Sequence, residues 1–433
     1  MTRMSWVFLA VSVIGAWFTF NAFRPSSRWQ FIGTSFFAAW LTGELAIWNI
    51  VWQAVATVVF ALLGAFDHWA GWVGLAITLA SWCGLVVLAT VSHRSGPVFD
   101  TALTDVIGVD EVPTPAKPQR SHTVFPFLMR DRSVERIKNL EYGPFGKRNR
   151  LDVYRPRHPT AGKTGLAPVL LQIHGGAWVI GDKSQQGLPL MLHLSAEGWV
   201  SVAINYRLSP KATWPEHLID AKRALAWVRE HIAEYGGDPD LICVTGGSAG
   251  GHLAAMVALT ANEPRYQPGF ESADTSVAAC VPFYGVYDFI DLFEGRAAGD
   301  RAMQMLGKWV MKSTIEDDRA AYEDVSPISH VRADAPPFFV IHGSLDNLAP
   351  VTQARRFVER LRSVSNEPVL YAEVPGASHA FDVFYSTRTG RAVSAVDRFL
   401  AWIVDQHQPG TRDREPEDVG RAEAMEPVSP RDG

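Results

Sequence analysis

The stretch Val244-Thr245-Gly246-Gly247-Ser248-Ala249-Gly250-Gly251 decides how this chain is read. It has the form G-x-S-x-G. The apolar run Leu241-Ile242-Cys243-Val244 before it suits a buried strand, and His252 to Leu259 after it suits a helix packed on a sheet. A serine between the two stands on a sharp strand-to-helix turn with its hydroxyl presented, a position suited to a nucleophile. Gly246, Gly250 and Gly251 remove the Cβ atoms that would clash where strand and helix approach. G-x-S-x-G alone also fits an idle serine in a glycine-rich turn, or a phosphate loop. The rest of the chain separates these readings.

A serine hydroxyl needs a base, and the base needs an orienting acid. When the serine sits on such a turn, the partners follow in the order acid, then histidine. Phe338 to Ile341 reads as a strand, followed by a loop carrying Asp346. Val369 to Val374 reads as the next strand, followed by a loop carrying His379. Asp382 and Asp288 are rival acids, but neither lies on the loop where the acid is expected. His252, four residues after Ser248, points down the helix and away from the turn. A tetrahedral intermediate also needs backbone donors. The segment Ile173-His174-Gly175-Gly176-Ala177-Trp178 follows the strand Pro168 to Ile173 and supplies them. Gly176 and Ala177 are the expected donors there, with Gly175 as an alternative, and the Ala249 N–H is the third. His174 braces the loop.

Strands and helices alternate around these segments. Arg150 to Tyr154, Pro168 to Ile173, Trp199 to Ile204, Leu241 to Val244, Val277 to Phe283, Phe338 to Ile341 and Val369 to Val374 read as strands. Residues 214–235, 353–364 and 392–405 show helical spacing. The fold class is therefore α/β, a mostly parallel sheet covered by helices on both faces, with its site at the carboxyl ends of the strands. The catalytic domain is read as 130–407. Residues 95–129, rich in proline and without clear periodicity, read as a linker. Residues 408–433 hold seven acidic and four basic side chains and no large apolar cluster, the composition of a disordered tail.

Residues 1–92 differ from everything after them. They carry five charged side chains, Arg3, Arg24, Arg28, Glu44 and Asp67, and nine of the 15 tryptophans. Residues 1–94 are read as a transmembrane region with about three spans, 4–23, 45–66 and 69–91, in which 29–43 lies at the interface. A four-span alternative lets 29–43 cross as well. Glu44 is placed at the headgroup level, because a carboxylate at mid-bilayer is costly. Arg24, Arg28, His93 and Arg94 put the first loop and the catalytic domain on the cytoplasmic side, although Arg3 opposes this.

A net charge of −5 gives no basic character to suggest a nucleic-acid partner. Cys83, Cys243 and Cys280 are widely spaced without a C-x-x-C pair, so neither a zinc site nor a disulfide framework is suggested. No metal ion or cofactor is expected.

Taken together, these segments resemble the α/β-hydrolase fold and, within it, the hormone-sensitive-lipase-like esterases, which include the membrane-anchored arylacetamide deacetylases. His174 to Trp178 is similar to the family's H-G-G-x-W block, and Gly246 to Gly251 to its G-x-S-A-G-G block. Asn205 to Pro210, followed by Trp214-Pro215, resembles its Y-R-L-A-P segment and downstream proline. The resemblance covers residues 130–405. It implies a triad of Ser248, Asp346 and His379 and hydrolysis of carboxylic esters, through an acyl-enzyme. The same triad would serve an acyltransferase or amidase, and a silent hydrolase fold acting as a scaffold is the non-enzymatic alternative. Two positions depart from the family pattern: Ala177 stands where a third glycine is frequent, and Gly247 where an acidic residue is frequent.

The connection Tyr287 to Val331 is long and apolar, at partly helical spacing. It is expected to form a helical cap which, with residues 120–136, walls an acyl pocket. Trp178, Met305 and Trp309 are the pocket candidates. The expected partners are a small-molecule or lipid ester and the membrane itself.

Overall fold

The computed structural model describes residues 2–28, 30–114, 125–158, 165–290 and 304–407. The segment 408–433, expected as a disordered tail, lies outside the described residues, as do 115–124 of the expected linker and 291–303 of the expected cap.

Apolar, nearly charge-free sequence at the amino-terminal end forms four helices: α1 (Thr2–Phe23), α2 (Ile32–Glu44), α3 (Ala46–Leu62) and α4 (Trp69–His93). By length and composition, Arg3–Phe23 and the run Trp69–Ile107 suffice to cross a bilayer. Helices α2 and α3 meet at 93° across Leu45. Helices α1 and α4 run parallel and close together. Ser12 Oγ accepts from Thr78 at 3.0 Å, and Thr19 and Ser81 share a hydroxyl hydrogen bond of 2.8 Å. Hydroxyl pairs and glycines such as Gly74, packed against Phe8 and Leu9, are the usual means of joining helices where apolar burial gives no drive. Helix α3 runs the opposite way: Phe60 lies on Phe8, Gln53 on Gly15, and Ala46 clusters with Ala22.

The expected linker contains a helix, α5 (Gly96–Ile107), where the prolines at 97 and 113 had suggested irregular chain. Pro97 occupies the first turn, where proline costs no hydrogen bond. Phe99, Ala102, Leu103 and Ile107 recur at helical spacing and are buried against the sheet domain.

Among the described residues, eight strands form one sheet: β1 (Val134–Glu141), β2 (Arg150–Pro156), β3 (Ala167–Ile173), β4 (Val200–Ile204), β5 (Gly237–Gly247), β6 (Ala279–Phe283), β7 (Phe338–Gly343) and β8 (Val369–Val374). Their order is β1-β2-β4-β3-β5-β6-β7-β8. The β1–β2 and β2–β4 pairs are antiparallel, and every later pair is parallel. The strands β3, β4, β6 and β7 and the second half of β5 are buried on both faces and largely apolar, as parallel strands under helices must be, while the edge strand β8 leaves Tyr371 and Glu373 half-buried. The covering helices are α6 (Leu188–Ala196), α7 (Glu216–His231), α8 (Ala249–Leu259), α9 (Arg319–Asp324), α10 (Val351–Val364) and α11 (Thr387–Gln406). Two buried clusters lie on opposite faces, one under α7, α8 and α10, the other under α5, α6 and α11. The register aligns the carboxyl ends: Ile173 with Gly246, Gly247 with Phe283, Gly343 with Val374. The loops after β3, β5, β6, β7 and β8 therefore open onto one edge of the sheet.

Candidate active site

Ser248 follows β5 directly and begins α8, at φ 59° and ψ −122°. A non-glycine residue with positive φ is strained, and the surroundings hold it there. Its N–H donates to Phe283 O at 3.0 Å. A Cβ on Gly250 would stand 2.1 Å from Ile173 O, so only glycine lets α8 start this close to β3. The Ser248 hydroxyl is half-buried and has no hydrogen-bond partner among the described residues. Ala249 N–H lies in the first turn of α8, where backbone donors have no intrahelical acceptor.

On the loops after β7 and β8, His379 Nδ1 lies 2.6 Å from Asp346 Oδ2. This contact carries the imidazole proton on Nδ1 and leaves Nε2 with its lone pair. Asp346 Oδ1 accepts from the N–H groups of Leu348 at 2.9 Å and Ala349 at 2.8 Å. His342 Nε2 is 3.3 Å from Asp346 Oδ2. Burial by itself would raise the Asp346 pKa, but the electrostatic attraction of His379 and the hydrogen bonds from His342 and His379 outweigh it and hold the carboxyl well below the usual range. Asp346 is thus a fixed anion with both oxygens engaged.

The loop after β3 folds back on itself. Gly175 N–H donates to Gln186 Oε1 at 2.7 Å, which removes Gly175 from the candidate oxyanion donors in this conformation. Gly176 and Ala177, at φ 118° and 51°, have N–H groups with no acceptor among the described residues. His174 Nδ1 lies 2.8 Å from Gly175 O, and the ring stacks on Tyr206 at 4.4 Å. Tyr206 Oη in turn donates to His174 O at 3.0 Å. Burial pushes the His174 pKa down to about 4, so it braces the loop as a neutral ring. Arg207, next in the chain, is held by Asp220 and Glu216.

The pocket candidates separate. Trp178 is turned into the core, where its Nε1 donates to His252 Nδ1 at 3.3 Å and its ring packs on Phe289. Met305 is half-buried, and Trp309 is exposed beside the buried Leu306 and Val310. Leu292, Phe293 and Met303 lie outside the described residues. His252 is a strut, with Nε2 2.7 Å from Val325 O.

Several residues around the site carried no signal beforehand. Tyr284, just after β6, lies 4.7 Å from the His379 ring and donates to Asp382. A Cβ at Gly247 would stand 2.6 Å from Tyr284 Oη, so the tyrosine fills the space an acidic side chain would need. His342 was visible as a strand-end polar residue, but only the fold shows it on Asp346. Glu44, expected at the headgroup level, is buried within the protein. Its carboxylate accepts from Arg388 Nη1 at 2.9 Å and from Ser386 Oγ at 2.8 Å. The reason is physical: an ion pair with a further hydrogen bond satisfies a carboxylate that would otherwise need headgroup water. Among the described residues, no group of His, Cys, Asp and Glu is arranged to hold a metal ion.

Over residues 151–361 the chain matches the BD-FAE family model. It is 54% identical over 273 residues to the probable carboxylic ester hydrolase LipM of Mycobacterium tuberculosis, an overlap of 63% of this chain and 62% of LipM. It is 44% identical over 304 residues to esterase LipC of the same organism, covering 69% of this chain and 73% of LipC. The chain thus spans a little under two thirds of LipM and nearly three quarters of LipC. Among solved structures, the butyrate-bound thermophilic esterase Est2 of Thermogutta terrifontis superposes with a TM-score of 0.51 at 25% identity, covering 64% of this chain and 95% of that one. An inhibited esterase B from Lactobacillus rhamnosis, 22% identical with a TM-score of 0.54, shares the fold over 64% of this chain and 89% of its own.

Proposed function

The chain belongs to the hormone-sensitive-lipase-like family of α/β-hydrolases, and on that footing we propose that it is a membrane-held serine carboxylic ester hydrolase. The observation that carries this reading is the 2.6 Å contact of His379 with Asp346 on the loops beyond β7 and β8, at the same sheet edge as the strained Ser248 turn. His379 Nε2 takes the Ser248 proton as Oγ attacks the ester carbonyl. Asp346 holds the tautomer and stabilises the imidazolium that forms. The N–H groups of Gly176, Ala177 and Ala249 receive the developing oxyanion, and loss of one such donor costs about 3 kcal/mol of transition-state stabilisation. His379 then returns the proton to the leaving alkoxide, and an acyl-Ser248 ester remains. Water, deprotonated by the same Nε2, attacks that ester and releases the acid.

The amino-terminal helices fit three crossings. The parallel α1 and α4 cross in one direction, α3 returns, and α2 stays on the catalytic-domain side. The basic residues 24, 28 and 94 make that side cytoplasmic.

A fluorophosphonate probe tests the nucleophile. Labelling of the full-length protein disappears in Ser248→Ala and persists in Ser344→Ala, and a folded protein that takes no label overturns the reading. Asp346→Asn lowers kcat by about 10⁴-fold with the protein still folded; a rate within a few fold of wild type removes Asp346 from its role.

A further inference from the structure

Helix α2 is too short to cross a bilayer, since 13 residues rise about 20 Å against a hydrocarbon core of about 30 Å. It is instead fastened to the catalytic domain at both ends. At its carboxyl end, Arg388 bonds Glu44 and also donates to Gly43 O at 3.3 Å, with both charged side chains buried. Ahead of its amino end, Asn347 Nδ2 donates to Ser26 O at 2.9 Å, and Asn347 is the neighbour of Asp346. Between these two ties, the Phe36 ring meets the His379 ring edge-on at 6.2 Å.

From Phe36 an aromatic row leads away from the site. Phe36 stacks on Trp40 at 5.6 Å, Trp40 packs on Phe384 at 5.1 Å, and Phe384 on Phe127 at 5.1 Å. The row ends on the surface among large apolar side chains: Phe37 is 57% exposed, Phe125 61% and Phe127 63%. Such a patch is costly in water and favourable where headgroups meet acyl chains. Its position agrees with that, because the helices entering and leaving α2 are the apolar α1 and α3.

We propose that α2 is the bilayer-facing wall of the active site, and that the row Phe127–Phe384–Trp40–Phe36 receives the acyl chain of an ester dissolved in the membrane and leads its carbonyl to Ser248. This rests on the reading of Ser248 as nucleophile and adds the substrate class: esters with long acyl chains, taken from the bilayer rather than from water.

The test uses the full chain reconstituted in diether phosphatidylcholine vesicles, whose lipids carry no ester to compete. The readout is the ratio of kcat/KM for p-nitrophenyl palmitate, dissolved in the vesicles, to that for p-nitrophenyl acetate. Removing one aromatic contact from the row lowers this ratio by about tenfold. Phe127→Ser and Phe36→Ala both show the fall, and Phe36→Leu restores most of it. Phe127 is exposed, so its variant keeps the fold. A ratio unchanged in both variants overturns the proposal, as does an equal fall for both esters, which would mark a structural role alone. Fluorophosphonate labelling of Ser248 in the same vesicles separates the two levels. With labelling intact and the ratio unmoved, only the bilayer route fails; without labelling, the nucleophile assignment and this proposal fail together.

Discussion

Tyr284 and Gly247 are one unit. The ring occupies the volume that a side chain at 247 would take, with a ring carbon only 2.9 Å from the place of a Cβ there. Gly247→Ala therefore overpacks the turn and costs about 1–3 kcal/mol in thermal unfolding, and the cost shrinks by more than about 1 kcal/mol in a Tyr284→Ala background. Additive effects would show that the two do not meet. The tyrosine also donates to Asp382, whose carboxyl burial pushes up to about 6, against the lowering effect of the Tyr284 hydrogen bond. Between about pH 4 and about pH 6 the folded chain keeps a proton there that the unfolded chain has released, so this group's contribution to stability is lost as pH rises. Asp382→Asn still accepts from Tyr284 and never ionises. It should match wild type near pH 4 and exceed it at pH 7 by up to about 3 kcal/mol. An advantage independent of pH would mean that Asp382 is not protonated in the fold.

At the scale of elements, the join between α2 and α11 is decisive. Arg388 bonds Glu44, Gly43 O and, at 3.0 Å, Pro375 O on the loop that leads to His379. Arg388→Met leaves the Glu44 carboxylate buried and unpaired, at a cost of about 3–5 kcal/mol. Pairing it with Glu44→Gln removes the stranded charge and recovers most of that loss, since neutral replacement of a buried ion pair costs little. Thermal unfolding of the full chain in detergent measures both, and equal destabilisation of the single and double variants would refute the coupling. The turn from β5 into α8 is rigid for a different reason: α8 is buried along its whole length, so the strained Ser248 backbone has no freedom to relax.

For the whole molecule, the three crossings we propose, together with the docked α2, would set the sheet edge carrying Ser248 against the membrane face. The protein should stay in the membrane fraction after alkaline carbonate extraction, and only detergent should release it. Extraction by carbonate alone would mean that α1, α3 and α4 do not span. The apolar side chains exposed along α1 and α3, such as Trp17, Phe20, Trp52 and Val58, are the surface on which lipid would lie.

The α/β order, the Ser248 turn and the strand-end positions of Asp346 and His379 were all legible in the amino-acid sequence. Those signals are local: a strand's apolar run, a glycine where no Cβ fits, and a residue type at the carboxyl end of a strand. The apolar character of the amino-terminal part was equally plain. Other features exist only in the folded chain. Gly175 is occupied by Gln186, Trp178 turns into the core, and Tyr284 stands where Gly247 has no side chain. Glu44 is held by a buried arginine 344 residues later, and that bond carries α2 onto His379. These are contacts between segments far apart in the chain. Burial and hydrogen bonding across such distances depend on how the layers stack, and no local periodicity encodes that.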